Sequence, residues 1–479
     1  MSSITAEPSV LATPRGKLIL FLLCSVGFLD FVDATIVNIA LPAIRDDLGF
    51  SVQELQWVPS GYLLTYGGFM LLGGRAADLL GRKRLLVAGI VVFAISSLIG
   101  GFADSSEVLV GSRLAQGIGG AMTLPATLSI LTTTFTDGPD RHKALGVWAG
   151  VGGLASAVGV LAGGALTEGP GWRWVMFINP VVCLVLLPAI LRLIDNDEPA
   201  AERTSFDLPG AFLATAGMLL LVFALVEAPD EGWGSGRTIG SLAGAAALLL
   251  AFIVNERRHG SPLMPLSIFR VRGLAAANAT QLIAFAGFLA MFFFLTLYMQ
   301  SVLGYSSIQT GLAYLPVCFV IGISAGIASQ LITKVGTRPL VVVGALVTAL
   351  GVGLFSRIPV DGSYVSDLLP GMIIMSLGIG AVFVAVINAA NAGVPSHQAG
   401  LAAALLNSSQ QVGGALGLAV LSAIATSRTN SLLEAHAAPP EALVEGFQRG
   451  LLVGSLFLAA GAVIGLRTTN THELQEAAA

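Results

Sequence analysis

Gly74-Arg75-Ala76-Ala77-Asp78-Leu79-Leu80-Gly81-Arg82-Lys83-Arg84 is the stretch on which the reading of the fold turns. Two glycines permit a tight turn, an acid ends one helix, and three basic residues open the next segment. On either side lies an apolar run, near 54–74 and 84–103. Each is about 20 residues, long enough to cross roughly 30 Å of hydrocarbon as helix. A short basic connection between two such runs reads as a membrane hairpin anchored on its positive side, and plain anchoring would account for its charge.

Working outward, apolar runs recur near 18–40, 108–132, 142–166, 174–193, 207–228, 236–255, 273–299, 308–331, 337–356, 367–391, 398–426 and 447–466, fourteen in all. The 479 residues are 55% hydrophobic and only 11% charged. Mean hydropathy is +0.84. Soluble domains carry about 25% charged residues, so a water-soluble fold is excluded. The expected class is an all-α integral membrane protein with fourteen transmembrane helices. An even number puts both termini on one side. By our assignment 17 of the 24 Lys and Arg fall on that side and 6 on the other, with Arg113 inside a span. Basic residues stay cytoplasmic, so both termini are expected there. The first run is full length and lacks a small-residue cleavage site, so it is expected to be retained.

Other classes fall away on composition. A net charge of −4 leaves no basic excess for nucleic acid. Cys24, Cys183 and Cys318 are widely separated in apolar runs, and the five histidines lie between or at the edges of runs. Neither set has metal-ligand or disulfide spacing. No catalytic His, Ser or metal constellation falls in the spans, so an enzyme is not expected. Nor is there a phosphate-binding G-x-x-x-x-G-K-[ST] loop for an ATP-driven pump.

The chain repeats itself. A shift of 255 residues places Leu48-Gly49-Phe50-Ser51 on Leu303-Gly304-Tyr305-Ser306, Gly81 on Gly336 and Lys83 on Arg338. A small further insertion brings Gly117-Ile118-Gly119 onto Gly378-Ile379-Gly380. Charged loops at 194–207 and 255–272 are natural joints. The expected division is a six-span bundle over 1–193, a linker and two-span insert over 194–272, and a second six-span bundle over 273–479. Duplicated bundles with a site between them are a common plan of secondary transporters.

The 74–84 loop matches the G-x-x-x-D-x-x-G-R-K signature of the major facilitator superfamily, which the chain therefore resembles. Asp33-Ala34-Thr35-Ile36-Val37-Asn38-Ile39-Ala40-Leu41-Pro42 is similar to the D-x-T-I-V-N-x-A-L-P run of its fourteen-span drug/proton antiporters. Arg113-Leu114-Ala115-Gln116-Gly117-Ile118-Gly119, Trp172-Arg173-Trp174, Ile178-Asn179 and Gln410-Gln411-Val412-Gly413-Gly414 are also similar to that family. The resemblance covers nearly the whole chain. It implies the major facilitator fold of two bundles, a multi-pass protein of the bacterial inner membrane, and export of lipophilic drugs or antibiotics in exchange for protons. Two departures stand out. The family's G-P-x-x-G-G in span 5 is here Gly159-Val160-Leu161-Ala162-Gly163-Gly164, so no proline kink is expected. Asp30 is an extra acid one turn before Asp33.

A charge inside hydrocarbon is expensive and needs a purpose or a partner. Asp30 and Asp33 are three apart and share a helix face. Besides these acids, Arg113 and Glu227 are the ionisable residues within spans, Glu227 near an outer end. The expected proton-coupling set is Asp33 as carrier, Asp30 assisting and Arg113 tuning both. A static pair that only orients two helices remains the alternative. The repeat carries Phe285 and Phe288 in place of Asp30 and Asp33, so coupling belongs to the first bundle.

The second bundle offers an uncharged lining. Gln281, Phe285, Phe288 and Phe292 fall on one helical face. Asn388, Asn391, Asn407, Gln410 and Gln411 add hydrogen-bonding groups, with Tyr62 and Tyr66 facing them from span 2 and Asn38 and Gln116 as further candidate substrate contacts. Interhelical hydrogen bonding is the alternative use of any one of them. As a set they suit a lipophilic small molecule, neutral or a monovalent cation. No cofactor beyond the coupling proton is expected, and the protein is expected to be a monomer in lipid.

Small-residue pairs Gly146/Gly150, Gly159/Gly163, Gly322/Gly326 and Gly413/Gly417 fit close helix packing. By resemblance spans 5 and 10, and spans 2 and 13, meet across the two bundles. Gly74, Asp78, Gly81, Arg82 and Lys83 form a candidate gate, with Asp78 latching near Ser396. Proton-independent uniport or uptake of a small amphipathic metabolite is the competing function.

Overall fold

The structure, a computed structural model, describes residues 10–135, 138–196, 207–392, 394 and 398–472. Each apolar run corresponds to one long helix. In chain order these are α1 Pro14–Leu48, α2 Trp57–Leu80, α3 Arg82–Gly101, α4 Ser106–Thr134, α5 Gly138–Glu168, α6 Arg173–Leu193 and α7 Leu208–Glu231. They continue as α8 Gly236–Arg258, α9 Leu274–Leu297, α10 Ser307–Val335, α11 Thr337–Leu354, α12 Leu369–Asn391, α13 Ala399–Glu434 and α14 Pro439–Gly465. Thirteen are long and apolar enough to cross a membrane. The other is α2, which carries Ser60, Tyr62, Thr65, Tyr66 and five glycines. It packs against both α4 and α13, so it needs little lipid-compatible surface of its own.

Local chemistry sets the helix ends. Pro14 occupies the first turn of α1 behind Thr13, whose hydroxyl accepts from the Gly16 N–H. At the far end Gly49 adopts φ 72°, a left-handed conformation suited to glycine, and its N–H closes on the Arg45 carbonyl. Ser51 then forms a capping box with Glu54. The repeat reproduces both features: Gly304 has φ 71°, and Ser306 forms a capping box with Gln309. Gly81 and Gly336, the second matched pair, also have positive φ, at 97° and 78°. The internal repeat is therefore one of backbone conformation as well as letters.

It is also one of packing. Contacts α1–α5, α1–α6, α2–α4, α3–α4 and α3–α6 have counterparts in α9–α13, α9–α14, α10–α12, α11–α12 and α11–α14. Between the two sets α2 meets α13 and α5 meets α10, as the resemblance implied. Gln53, ahead of α2, bonds Thr426 late in α13, while Gly67 lies beside Ser408 and Gln411. The two helices are therefore antiparallel, and both chain ends point to one face of the molecule, called the terminal face below. In the insert, α7 lies against both α2 and α13, and α8 packs on α7 with most of its surface outward.

The two halves touch chiefly toward the face opposite the termini. A Cβ on Gly164 would meet the Ser307 carbonyl oxygen at 2.7 Å, and one on Gly311 the Val160 oxygen at 2.5 Å. There Gln300 Nε2 donates to the Ile39 carbonyl at 3.0 Å, Ile308 N–H to Glu168 at 3.2 Å, and Arg45 to Ser301 at 3.3 Å. Nearer the terminal face, Gly146, Gly150, Gly322 and Gly326 have nothing within 4 Å of an added Cβ. These pairs were expected as packing surfaces; here α5 and α10 have splayed apart at them. Gly159 and Gly163 instead press on Thr35 and Ile36 of α1, and Gly413 and Gly417 on Leu282 and Ala286 of α9. Those two pairs close contacts within a half rather than between halves. Val160, standing where the family has proline, continues α5 without interruption.

Candidate functional site

Asp33 of α1 is fully buried and saturated with donors. Arg113 of α4 donates from Nη1 to its Oδ2 at 2.6 Å. Its Oδ1 accepts from Gln116 Nε2 at 2.9 Å and from Asn179 Nδ2 of α6 at 2.7 Å. Arg113 and Gln116 stand one turn apart on α4, which lets both reach the same carboxylate. Arg113, only 1% exposed, also donates to Gln116 Oε1 at 2.7 Å and to the Val58 carbonyl at 3.2 Å. Its guanidinium lies 4.4 Å over the Tyr62 ring. Asn179 in turn donates to Ser97 Oγ at 3.0 Å. Removing one partner of such a pair strands a buried charge, at about 3–5 kcal/mol.

Asp30, one turn earlier, has different company. It receives one donor, Thr123 Oγ1 at 3.0 Å, and among the described residues has no ion-pair partner. Unlike Asp33, it lines a cavity of about 720 Å3 between the halves. Arg113 forms part of the same wall, so it touches both the buried acid and the cavity. Tyr62, 1% exposed, and Tyr66 line it beside Asp30, and the Tyr62 hydroxyl has no hydrogen-bond partner among the described residues. Across the space Phe285, Phe288 and Phe292 of α9 form an aromatic wall with Phe383 of α12. The Phe292 ring stacks on Tyr314 at 4.5 Å. Gly150 and Gly153 of α5, Gly322 and Gly326 of α10 and Asn407 of α13 carry the lining toward the terminal face.

The sequence pattern of the Major Facilitator Superfamily matches residues 23–418. The chain belongs to the major facilitator superfamily. It is accordingly a membrane transporter and not an enzyme. Among members, it is similar to the puromycin resistance protein pur8 of Streptomyces alboniger, 39% identical over 93% of this chain and 88% of that one. The cephamycin export protein CmcT of Amycolatopsis lactamdurans is 39% identical over 90% of this chain and 88% of its own length. The superfamily fold is matched by a bacterial homologue of the human lysosomal transporter Spinster, with a TM-score of 0.65 at 17% identity, covering 95% of this chain and 97% of that one.

Within this superfamily frame, the sequence-based candidates separate into three groups. Asp30, Asn38, Tyr62, Tyr66, Arg113, Phe285, Phe288, Phe292, Asn407, Gln410 and Gln411 all line the cavity. Gln116 and Gln281 do not; Gln116 is committed to Asp33 and Arg113, and Gln281 donates to Gln410 at 2.7 Å. Asn388 and Asn391 are exposed on α12 and bond carbonyls of their own helix, so they lie outside the lining. Polarity within a span marked them, but their helical phase faces away.

Of the gate candidates, Gly74 sits beside Pro125 of α4 and Gly81 makes the α2–α3 turn. Arg82 begins α3, and Lys83 donates to the Leu191 carbonyl at the end of α6, a contact within the first half. The Asp78 side chain and Ser396 lie outside the described residues. Glu227 pairs with Arg237 within the insert.

Residues not singled out by sequence complete the site. Trp148 of α5 enters the lining because Gly27 of α1 leaves room, a Cβ there meeting the ring at 2.3 Å. Asn179 was visible only as part of a motif, and Ser97 and Thr123 look like ordinary small polar residues of a membrane helix.

Proposed function

We propose that the protein is a proton-coupled exporter of lipophilic drugs or antibiotics, neutral or singly cationic, working by alternating access in a bacterial inner membrane. The observation that carries this is Arg113, which neutralises buried Asp33 on one side and faces the cavity on the other. A proton arriving on Asp33 removes the counter-charge of Arg113, and the freed guanidinium raises the positive potential at the cavity wall. A cationic cargo is then disfavoured, and an unprotonated Asp33 favours it. Proton and cationic cargo thereby compete, which is the requirement for exchange. Asp30 and the phenylalanine wall supply an acid and π faces for an ammonium on an apolar body. Similarity to puromycin resistance and cephamycin export proteins supports the same cargo class.

In this reading all fourteen long helices cross the membrane, α1–α6 and α9–α14 are the two bundles, and the terminal face is cytoplasmic. The basic-residue bias supports that orientation. The splayed glycines of α5 and α10 then describe an inward-facing state, ready to load from the cytoplasm or inner leaflet. Protons are the only coupling species required, and membrane lipid is the solvent for the outward helix faces.

Val160 in place of the span-5 proline favours the competing reading, uniport or uptake. Everted membrane vesicles distinguish them. Under exchange, acidifying the lumen drives puromycin into the vesicles, and a protonophore releases it. Accumulation indifferent to the pH gradient would overturn coupling and leave uniport.

A further inference from the structure

The insert, which the exchange reading leaves without a role, lies on the seam where the halves must part. Helix α7 contacts α2 of the first half and α13 of the second. At the face opposite the termini one side chain joins all three elements. Gln53 sits in the helical turn Val52–Leu55 ahead of α2 and is 2% exposed. Its Nε2 donates to the Val226 carbonyl of α7 at 2.8 Å. Its Oε1 accepts from Thr426 Oγ1 of α13 at 2.6 Å. The Ser51–Glu54 capping box fixes the turn, and Gln56 Nε2 donates to the Gln53 carbonyl at 2.8 Å.

The hydrogen bonds of α7 to the two halves are unequal. Toward α2 there is the buried Gln53 bond, beside close packing at Gly68, where an added Cβ would come within 2.4 Å of Thr215 Oγ1. Toward α13 the side-chain hydrogen bond among the described residues is Asn430 to Asp230, exposed and 3.3 Å long. If the face opens, the Gln53 and Thr426 oxygens gain water as they lose each other, so neither is orphaned. The Gln53–Val226 bond can persist throughout.

We propose that Gln53–Thr426 is the latch closing the halves on the face opposite the termini, and that the insert travels with the first half, its Val226 carbonyl holding Gln53 in register. This rests on the alternating-access reading above. Spin labels at three exposed sites on that face test it, on a chain with Cys24, Cys183 and Cys318 replaced: Phe102 after α3, Trp233 between α7 and α8, and Val365 ahead of α12. Electron–electron distance measurements follow each pair in lipid, with and without puromycin, at two pH values. The Phe102–Val365 and Trp233–Val365 distances should shift together while Phe102–Trp233 stays constant.

Thr426→Val should raise the separated Phe102–Val365 population about fivefold, the equivalent of one neutral hydrogen bond. Thr426→Ser should restore the original distribution, which separates lost bonding from lost folding. A Phe102–Trp233 distance that moves while Trp233–Val365 holds would assign the insert to the second half and overturn the proposal. A Thr426→Val population equal to that of the unaltered protein would overturn the latch. If Phe102–Val365 moves under no condition, alternating access itself fails, and the insert's travel with it.

Discussion

Replacing Asp33 by Asn tests the buried pair at nearly constant shape. In the native site Oδ2 faces Arg113 Nη1 at 2.6 Å, and Oδ1 faces two amide donors, Gln116 Nε2 and Asn179 Nδ2, at 2.9 and 2.7 Å. An asparagine has one oxygen for these three donors. Turned one way, its NH2 meets the guanidinium; turned the other, it meets both amides. In the first case Arg113, 1% exposed, keeps only Gln116 Oε1 and the Val58 carbonyl; in the second it keeps the asparagine oxygen as well while the two amides go unpaired; in both it loses its counter-charge. The expected loss is about 3–5 kcal/mol of stability. Arg113→Met should cost a similar amount, because it leaves Asp33 charged and buried.

The double variant Asp33→Asn/Arg113→Met should recover much of that loss, since a buried pair replaced on both sides strands no charge. Denaturation of the purified protein in detergent, followed by tryptophan fluorescence, measures all three. The double variant should nonetheless fail to couple. A single Asp33→Asn within about 1 kcal/mol of the unaltered protein, or losses that simply add in the double variant, would refute the argument that the pair is mutually dependent.

Other expectations follow from the same geometry. Asp30→Asn should weaken binding of a lipophilic cation about ten- to a hundredfold and that of a neutral analogue by less than about threefold, read by fluorescence titration. Phe288 touches Phe285, Phe292 and Phe383, and Phe288→Ala should weaken lipophilic probes of either charge by roughly tenfold in the same titration. Gly322→Leu should fold and bind but not transport, because its neighbourhood is open only while α5 and α10 are apart; Gly164→Leu should instead force the opposite face apart, raising maleimide labelling from that side.

Asp207, ahead of α7, carries a testable pH dependence. Burial opposes its charge, but the Asn255 amide, the Gly210 N–H, Glu256 and nearby His259 hold the carboxyl below its ordinary value. A depressed carboxyl stabilises above its ordinary pKa of about 3.9 and loses that contribution as pH falls through the depressed value. The protection factors of amides at the start of α7, which remove the intrinsic pH dependence of exchange, should therefore be flat above about pH 4 and fall below it. Asp207→Ala should accelerate exchange there throughout, having lost a cap worth about 1 kcal/mol.

How far the sequence carried depended on the kind of information. Helix number and repeat were legible because lipid demands apolar runs of a set length, and because Gly49/Gly304 and Ser51/Ser306 must keep one backbone geometry. The intramembrane charges also stood out, since Asp33 and Arg113 are conspicuous where charge is rare. Polar neutral residues were less informative. Asn388 and Asn407 look alike in sequence, yet one faces away from the cavity and the other lines it.

Helical phase relative to a distant neighbour is a tertiary property, and no local pattern encodes it. Glycine pairs were ambiguous for a related reason. Gly159/Gly163 are filled by α1 while Gly322/Gly326 are empty, although the two pairs have the same spacing in sequence. The different surroundings of Asp30 and Asp33 were also hidden, as they depend on Thr123, Asn179 and Ser97 arriving from other helices.

Proton release from the purified protein in proteoliposomes enclosing a pH dye tests the central claim most directly, with puromycin added and Asp33→Asn run in parallel. Exchange through the Asp33–Arg113 pair predicts a substrate-dependent pH change that vanishes in the variant. Puromycin movement without a pH change, or a pH change that survives in Asp33→Asn, would contradict it.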